Sequence, residues 1–88
     1  MVKEYIIDCE KLCERRAAHR YLAQTLEFPD YYGKNLDALF DCLMEMGECT
    51  IVLEDREALC RPDSYGKKVL SVLEEAAREN PGLYLEIC

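Results

Sequence analysis

Three short segments rich in strand-forming residues alternate with longer segments of helical periodicity along this chain of 88 residues. The strand segments are residues 2–7, 50–53 and 83–87, and two helical segments lie in each interval between them. Strands that are separated by helices favour a parallel sheet with right-handed crossovers. We therefore predict a single α/β domain over residues 1–88, with the order β-α-α-β-α-α-β and a three-stranded parallel sheet in the order 1-2-3.

Turn and capping residues bound the first two helical segments. Segment 11–26 carries apolar residues at helical spacing and is stopped by Pro29, which cannot donate a backbone hydrogen bond. Segment 35–46 has Asn35 as its expected N-cap and Gly47 as its expected end. We expect the two helices to pack on the sheet.

The second half of the chain repeats this plan. A short helix is expected over 55–60, and Ser64 or Asp63 can start the last helix, 65–80. The strand segment 50–53 is a continuous apolar run, which is typical of a strand covered on both faces. Right-handed crossovers in the order 1-2-3 would instead place every helix on one face of the sheet.

The charge balance restricts the class of partner. The chain has 11 basic and 18 acidic residues, a formal net charge of −7. Nucleic-acid binding needs basic patches that displace counterions from phosphates, so this balance argues against it and against an anionic membrane. No run approaches the ~20 apolar residues of a membrane span. Residues 1–8 lack a signal-peptide core, so we expect a cytoplasmic protein.

The six cysteines could form three disulfides in a secreted chain of this length. Here Cys42 falls inside a helical segment and Cys49 at the entrance of a strand, where small apolar residues belong. No C-x-x-C pair occurs and His19 is the only histidine, so neither a zinc site nor a thioredoxin-like redox site is expected. We predict reduced cysteines, mostly in or near the core, with no metal and no cofactor.

The helical segment 35–46 has two contrasting faces. On a wheel of about 100° per residue, the apolar residues that must face the core are Leu36, Leu39, Leu43 and Met46. Asp37, Asp41 and Glu45 fall together as an acidic face. Phe40 lies on the border between the two faces, and Met44 lies beside Asp37.

This acidic face has three possible meanings. The helix dipole favours Asp37 in the first turn, but Asp41 and Glu45 lack that benefit, and like charges one turn apart repel. The face could be merely solvated, although Phe40 and Met44 at its edge are more typical of a contact surface for something positive. A catalytic pair, Asp37 with Asp41, would need a cleft and a third group, so we do not expect an enzyme.

The segment around this helix resembles the signature of the barstar family of intracellular ribonuclease inhibitors. The residues that carry the resemblance are Pro29-x-Tyr31-Tyr32-Gly33-x-Asn35-Leu36-Asp37-Ala38-Leu39-x-Asp41-Cys42-Leu43. It extends to His19 and Leu22 before the motif, and to Val52-Leu53-Glu54, Val69-Leu70 and Glu75-Ala76 after it. The predicted element order agrees with the barstar-like fold, a three-stranded parallel sheet with helices packed on it.

The resemblance implies roles for five residues. In the family, the helix after Tyr-Tyr-Gly and the loop before it plug the active site of a barnase-type ribonuclease. Asp41 matches the central acid, which takes the place of the substrate phosphate, and Asp37 matches an acid that meets an enzyme arginine. Tyr31 matches an aromatic that packs against the catalytic histidine. Glu75 matches an acid on the last helix that pairs with an enzyme cation, and Glu79 a peripheral one.

Other positions depart from the family or have a supporting role. Phe40 and Met46 stand where barstar has tryptophans, Met44 where it has a small polar residue, and Lys34 where it has an acid. Tyr32, Gly33 and Asn35 are expected to hold the loop and the helix start, and His19 to lie near the core or the first loop. The complete predicted partner-binding set is Tyr31, Asn35, Asp37, Phe40, Asp41, Met44, Met46, Glu75 and Glu79.

The resemblance therefore implies a non-enzymatic inhibitor that binds a small basic ribonuclease one to one. One alternative keeps the fold and makes the chain an immunity or regulatory protein for a different basic partner. A second alternative is a small acidic enzyme that uses Asp37 and Asp41, which a deep pocket around both residues would favour.

Overall fold

The parallel sheet has the predicted order. The structure, a computed structural model, describes residues 3–60 and 64–87, with residues 59 and 60 described for their backbone only. Strands β1 (Lys3–Asp8), β2 (Cys49–Glu54) and β3 (Leu83–Ile87) pair in parallel in the order β1-β2-β3. Cys49 of β2 is aligned with Lys3 on one side and with Leu83 on the other. The predicted sheet is confirmed.

Three α-helices and two short 3₁₀ helices connect the strands. The α-helices are α1 (Arg15–Thr25), α2 (Leu36–Glu45) and α3 (Gly66–Glu79), and the 3₁₀ helices are Cys9–Leu12 and Arg56–Cys60. The second 3₁₀ helix lies where a short helix was expected. No helix in the described residues combines the length and the apolar composition that crossing a membrane requires.

The prediction of one helix over 11–26 was wrong at its beginning. The Asp8 side chain accepts a hydrogen bond from the Glu10 N–H, which starts the 3₁₀ helix Cys9–Leu12 instead. The Cys13 carbonyl accepts from the Tyr65 N–H at 3.0 Å, so it is not used in a helical turn of its own segment. The α-helix therefore begins only at Arg15.

The helices cover one face of the sheet. Along β2, Cys49, Ile51 and Leu53 are buried, and the alternate residues Thr50 and Val52 are half-buried. On the same side as Val52, the flanking strands carry residues that are about half exposed, Ile6 at 50% and Tyr84 at 51%. The expectation that β2 is covered on both faces was wrong, because every helix packs on the other side.

The core lies between the sheet and the helices. Its fully buried side chains include Ile7, Leu12, Leu22, Leu39, Leu43, Ile51, Leu53, Val69 and Leu73. Each such side chain stabilises the fold by roughly 1.5–3 kcal/mol relative to an exposed one. Helices α2 and α3 pack side by side over this core, so the surfaces of these two helices adjoin.

Asn80 holds the end of α2, a role that the sequence assigned to Gly47. Helix α2 ends at Glu45, and no glycine in the described residues has the positive φ of a helix-ending glycine. The Asn80 Nδ2 donates to the carbonyls of Leu43 and Met46, at 3.0 and 3.3 Å. Its Oδ1 accepts from the Gly82 N–H at 3.1 Å.

We expect Asn80→Asp to destabilise the fold because aspartate keeps the acceptor for Gly82 but loses both donations to α2. The Leu43 carbonyl keeps its bond from the Met46 N–H, but both carbonyls lose a donor and face a carboxylate instead, which should cost about 1–3 kcal/mol in the free energy of unfolding. Urea unfolding measures this loss. Asn80→Ala should cost at least as much, and unchanged stability in both variants would contradict the role of Asn80.

Candidate functional site

The loop between α1 and α2 exposes one tyrosine and buries the next. The Phe28 N–H donates to the Ala23 carbonyl, and the Tyr32 N–H donates to the Pro29 carbonyl at 3.0 Å, which closes a turn around residues 29–32. Tyr31 is 81% exposed at the tip of this turn, whereas Tyr32 is only 6% exposed. The Tyr31 ring is thus exposed to solvent, while the buried Tyr32 anchors the loop.

A buried histidine holds Tyr32 in place. His19 is 1% exposed, and its Nδ1 lies 2.6 Å from the Tyr32 hydroxyl while its Nε2 lies 2.7 Å from the Tyr65 hydroxyl. A neutral imidazole has one donor and one acceptor nitrogen, so one tyrosine donates to the ring and the other accepts from it. This His19–tyrosine bridge connects α1, the loop before α2 and the start of α3.

Burial favours the uncharged forms of the bridging groups. Desolvation, with a smaller contribution from the nearby Arg15 charge, lowers the pKa of His19 below its usual 6.5. Desolvation likewise raises the pKa of Tyr32 and the pKa of Tyr65. The bridge is therefore uncharged at neutral pH, and both ring nitrogens of the imidazole have partners.

Helix α2 starts as predicted. The Asn35 Oδ1 accepts from the Ala38 N–H at 2.7 Å, which makes Asn35 the N-cap. A Cβ at Gly33 would lie 3.3 Å from both the Ala38 Cβ and the Asn35 Nδ2, so the loop packs closely here. Lys34, between them, has a φ of 55°. A non-glycine residue in this region costs free energy, so the loop conformation is specifically held.

The acidic face of α2 points into solvent. Asp37, Asp41 and Glu45 are exposed, while Leu39 and Leu43 on the opposite face are fully buried. No carboxylate of this face lies within ion-pair distance of a cation in the described part of the chain, where the ion pair found is Lys3–Glu27. The negative charges are therefore not neutralised within the molecule.

Apolar side chains border this face. Phe40 is half-buried and lies outside the core cluster, and Met44 is exposed. Met46 is half-buried against the core. The structure therefore places Phe40 and Met44 at the edge of the acidic face, whereas Met46 is mainly a core residue with a partly accessible surface.

Helix α3 adds acids beside α2. Its buried residues Val69, Leu73 and Ala76 face the core, and Glu75 and Glu79 are exposed. Because α2 and α3 pack side by side, the predicted site residues belong to adjoining elements: the loop, α2 and α3. Asp37 borders an open cleft that Asp41 does not line, so this cleft does not enclose the pair that catalysis would need.

A basic cluster that was not predicted from the sequence lies beside Asp37. Arg15, Tyr65 and Lys68 line the cleft of about 460 Å³ together with residues 35–37. A second depression of about 390 Å³ shares Arg15 and is lined also by Glu14, Arg16, His19 and Lys34. The signal in the sequence was the occurrence of cations at the beginning of helices, where they are unfavourable.

Three acids of the described residues lie close together, away from the acidic face of α2. Asp8, Glu10 and Asp55 each bring a carboxylate oxygen within 4.8 Å of the others. Clusters of exposed acids are common without a metal ion, so this group does not by itself indicate a metal site. Cys9, Cys42 and Cys49 are free thiols, and burial raises the pKa of Cys9 to about 11. The side chain of Cys60 and the whole of Cys88 lie outside the described residues.

Two comparisons with known proteins indicate a family. The family model described as Barstar (barnase inhibitor) matches residues 2–86. The chain is also 40% identical over 81 residues to a protein of Bacillus subtilis (strain 168) named "Putative ribonuclease inhibitor YrdF". The aligned part covers 89% of this chain and 89% of that protein.

We expect the stability of the fold to fall as pH decreases through 6.5. The unfolded chain then binds a proton at its histidine, while the buried His19 resists protonation until the pH reaches its lowered pKa. The contribution of neutral His19 is thus complete above pH 6.5 and is lost towards the folded-state pKa. Urea unfolding at several pH values measures this slope.

The His19→Gln variant is the control because glutamine does not titrate. The difference between the free energies of unfolding of wild type and variant should shrink as the pH falls. The ring signals of the one histidine in the chain give its pKa directly by NMR, and a pKa above 6.5 would contradict the burial argument.

Proposed function

This chain belongs to the barstar family, and from that premise we propose that it inhibits a small basic ribonuclease of barnase type by covering the cationic active site of the enzyme. The proposed complex is one to one and needs no cofactor. The observation that carries the proposal is the acidic face of α2, Asp37, Asp41 and Glu45, which is exposed and not neutralised within the molecule.

The proposal has a simple electrostatic basis. A ribonuclease has to concentrate positive charge to hold a phosphodiester. Carboxylates on a rigid helix can satisfy those cations without offering a bond that the enzyme can cleave. Helix α2 is suited to this because Asn35 caps its beginning and Asn80 binds the carbonyls at its end. Little conformational freedom is then lost on binding, which favours affinity.

We assign the individual roles by position. Asp41, at the middle of the acidic face, would occupy the place of the substrate phosphate, and Asp37 would meet an enzyme arginine. Tyr31, exposed at the loop tip, would pack against the catalytic histidine of the enzyme. Glu75 would pair with a further enzyme cation, with Glu79 at the periphery.

Four more side chains would complete the interface. Phe40 and Met44 would supply apolar contact at the edge of the acidic face, and the accessible part of Met46 would extend it. Asn35 would act mainly through its cap. Lys34, Phe40 and Met46 differ in type from the matching barstar residues, which favours a partner enzyme that differs in detail from barnase.

The biological setting follows from the proposed activity. Cellular RNA has to be protected where it is translated, so we propose that the chain acts in the cytoplasm as an immunity protein against a ribonuclease toxin. The other candidate, regulation of a different basic partner by the same face, is supported by the same charges. The two candidates differ in one measurable property, because a regulator of another partner would not inhibit a ribonuclease.

We expect Asp41→Ala to weaken binding to a barnase-type ribonuclease that the wild type inhibits by about 2–5 kcal/mol, a range that itself rests partly on measurements of the barnase–barstar pair. The loss arises because the enzyme cations facing Asp41 would be left buried without a partner. Isothermal titration calorimetry and an RNA-cleavage assay measure it. The matched control is Glu45→Ala, which removes an equal charge from the end of the same face and should cost less than about 1 kcal/mol.

Equal affinity of wild type and Asp41→Ala would contradict the proposed role of Asp41. Binding to a basic partner without loss of ribonuclease activity would favour the regulatory candidate.

We expect association with the ribonuclease to slow as ionic strength rises, because opposite net charges steer the two proteins together and salt screens that attraction. Stopped-flow measurements between about 20 and 500 mM salt should show at least a tenfold decrease in the association rate constant. The dissociation rate should change much less, and an association rate independent of salt would exclude electrostatic steering.

A further inference from the structure

A basic cluster lies at the beginnings of the helices. Its four cations are Arg15, Arg16, Lys34 and Lys68, which line the two depressions that share Arg15. Glu14 and Asp37 are the acids that line the same two depressions, so cations outnumber acids two to one there. In a chain with a net charge of −7, this is a local reversal of sign.

Internal ion pairing does not account for the cluster. None of the four cations forms an ion pair within 4.0 Å with the residues that the structure describes. Asp37 lines the cleft with Arg15 and Lys68 but is not bridged to either of them. The positive charges are therefore available to groups outside the molecule.

Helix stability does not account for the cluster either. Arg15 and Arg16 occupy the first two positions of α1, and Lys67 and Lys68 follow Gly66 at the beginning of α3. Neither first turn contains an acid, although Glu14 precedes α1 and the Ser64 Oγ accepts from the Gly66 N–H at the start of α3. Cations near a helix N-terminus are unfavourable because the dipole is positive there. These positions are suboptimal for the fold alone.

The position of the cluster indicates what it meets. Asp37, a residue of the proposed ribonuclease contact, lines the cleft directly, so a partner seated on the acidic face of α2 extends over the cations. A cationic enzyme surface placed there would be repelled. A partner that carries the opposite charge at that point would be favoured.

We infer that the cleft between the beginnings of α1, α2 and α3 binds acidic side chains of the ribonuclease, which border its cationic active site. The inference rests on the proposed function and deepens it, because it specifies a charge pattern of the partner. The interface then contains charge pairs of both polarities. Carboxylates of α2 meet enzyme cations, and Arg15 and Lys68 meet enzyme carboxylates. Such a pattern discriminates among basic ribonucleases. A ribonuclease without these acids would leave Arg15 and Lys68 unpaired in the interface, which disfavours its binding.

The test compares Lys68→Glu with Lys67→Glu against the ribonuclease that wild type inhibits. Both substitutions change the net charge equally and place a glutamate in the same turn of α3, but only Lys68 lines the cleft. Lys68→Glu should raise the dissociation constant roughly 5- to 50-fold through like-charge contact. Lys67→Glu should stay within about twofold of wild type. Arg15→Glu should behave like Lys68→Glu.

Thermal unfolding distinguishes this effect from damage to the fold. Glutamate in the first turn of α3 agrees with the helix dipole, so both lysine variants should melt no lower than wild type. A variant that is at least as stable and yet binds more weakly identifies a contact residue. Equal affinity of Lys67→Glu and Lys68→Glu, whether both weakened or both unchanged, would overturn the inference.

Cross-linking identifies the partner group. A carbodiimide condenses a lysine amine with a carboxylate to form an amide. The water that is removed hydrates the carbodiimide to a urea. In the complex, Lys68 or Lys34 should be joined to an aspartate or glutamate of the enzyme. Failure to cross-link either lysine, with binding intact, would overturn the inference and leave the proposed function standing. If Asp41→Ala also leaves affinity unchanged, the proposed function fails as well.

Discussion

The fold depends on one buried hydrogen-bonded bridge, in which the two nitrogens of His19 hold the hydroxyls of Tyr32 and Tyr65. These three side chains come from α1, from the loop before α2 and from the residue before α3. The Tyr65 N–H also donates to the Cys13 carbonyl, which adds a backbone bond to the same junction. This junction joins the beginnings of α1 and α3 to the loop that leads into α2, so it helps to set their relative positions. Both the exposed Tyr31 and the basic cluster depend on that arrangement.

The sequence predicted the architecture because each element carried a local signal. The structure has a strand at the apolar run of β2 and a helix start at Asn35, as the sequence predicts. It also buries Leu39 and Leu43 on one face of α2, as their spacing predicts. The error over 11–26 has a different origin. Nothing in that segment alone reveals that the Cys13 carbonyl bonds to Tyr65, which is far away in sequence. Long-range hydrogen bonds of this kind override local helical periodicity.

The candidate site was predictable to a similar extent. Exposure of Asp37 and Asp41 follows from a helical wheel, because the core side of α2 is unambiguous. The basic cluster was not predicted, since Arg15 and Lys68 lie 53 positions apart and meet only after all three helices have packed. Both surfaces share one property: Asp41 and Glu45 on α2, like the cations that begin α1 and α3, occupy positions where the helix dipole does not favour their charge. Stability given up at a surface is a common mark of a binding function.

The all-parallel sheet has a consequence for the time at which the protein becomes active. Every strand pair joins residues more than thirty positions apart, as Cys49 does with Lys3 and with Leu83. Such a chain has no hairpin from which to start, and folding rates fall as the sequence separation of contacts grows. The first strand must wait for the second, and the second for the third, which begins 34 positions after Cys49. A sheet of this design is complete only once its third strand has left the ribosome, so the proposed inhibition would begin only after that point.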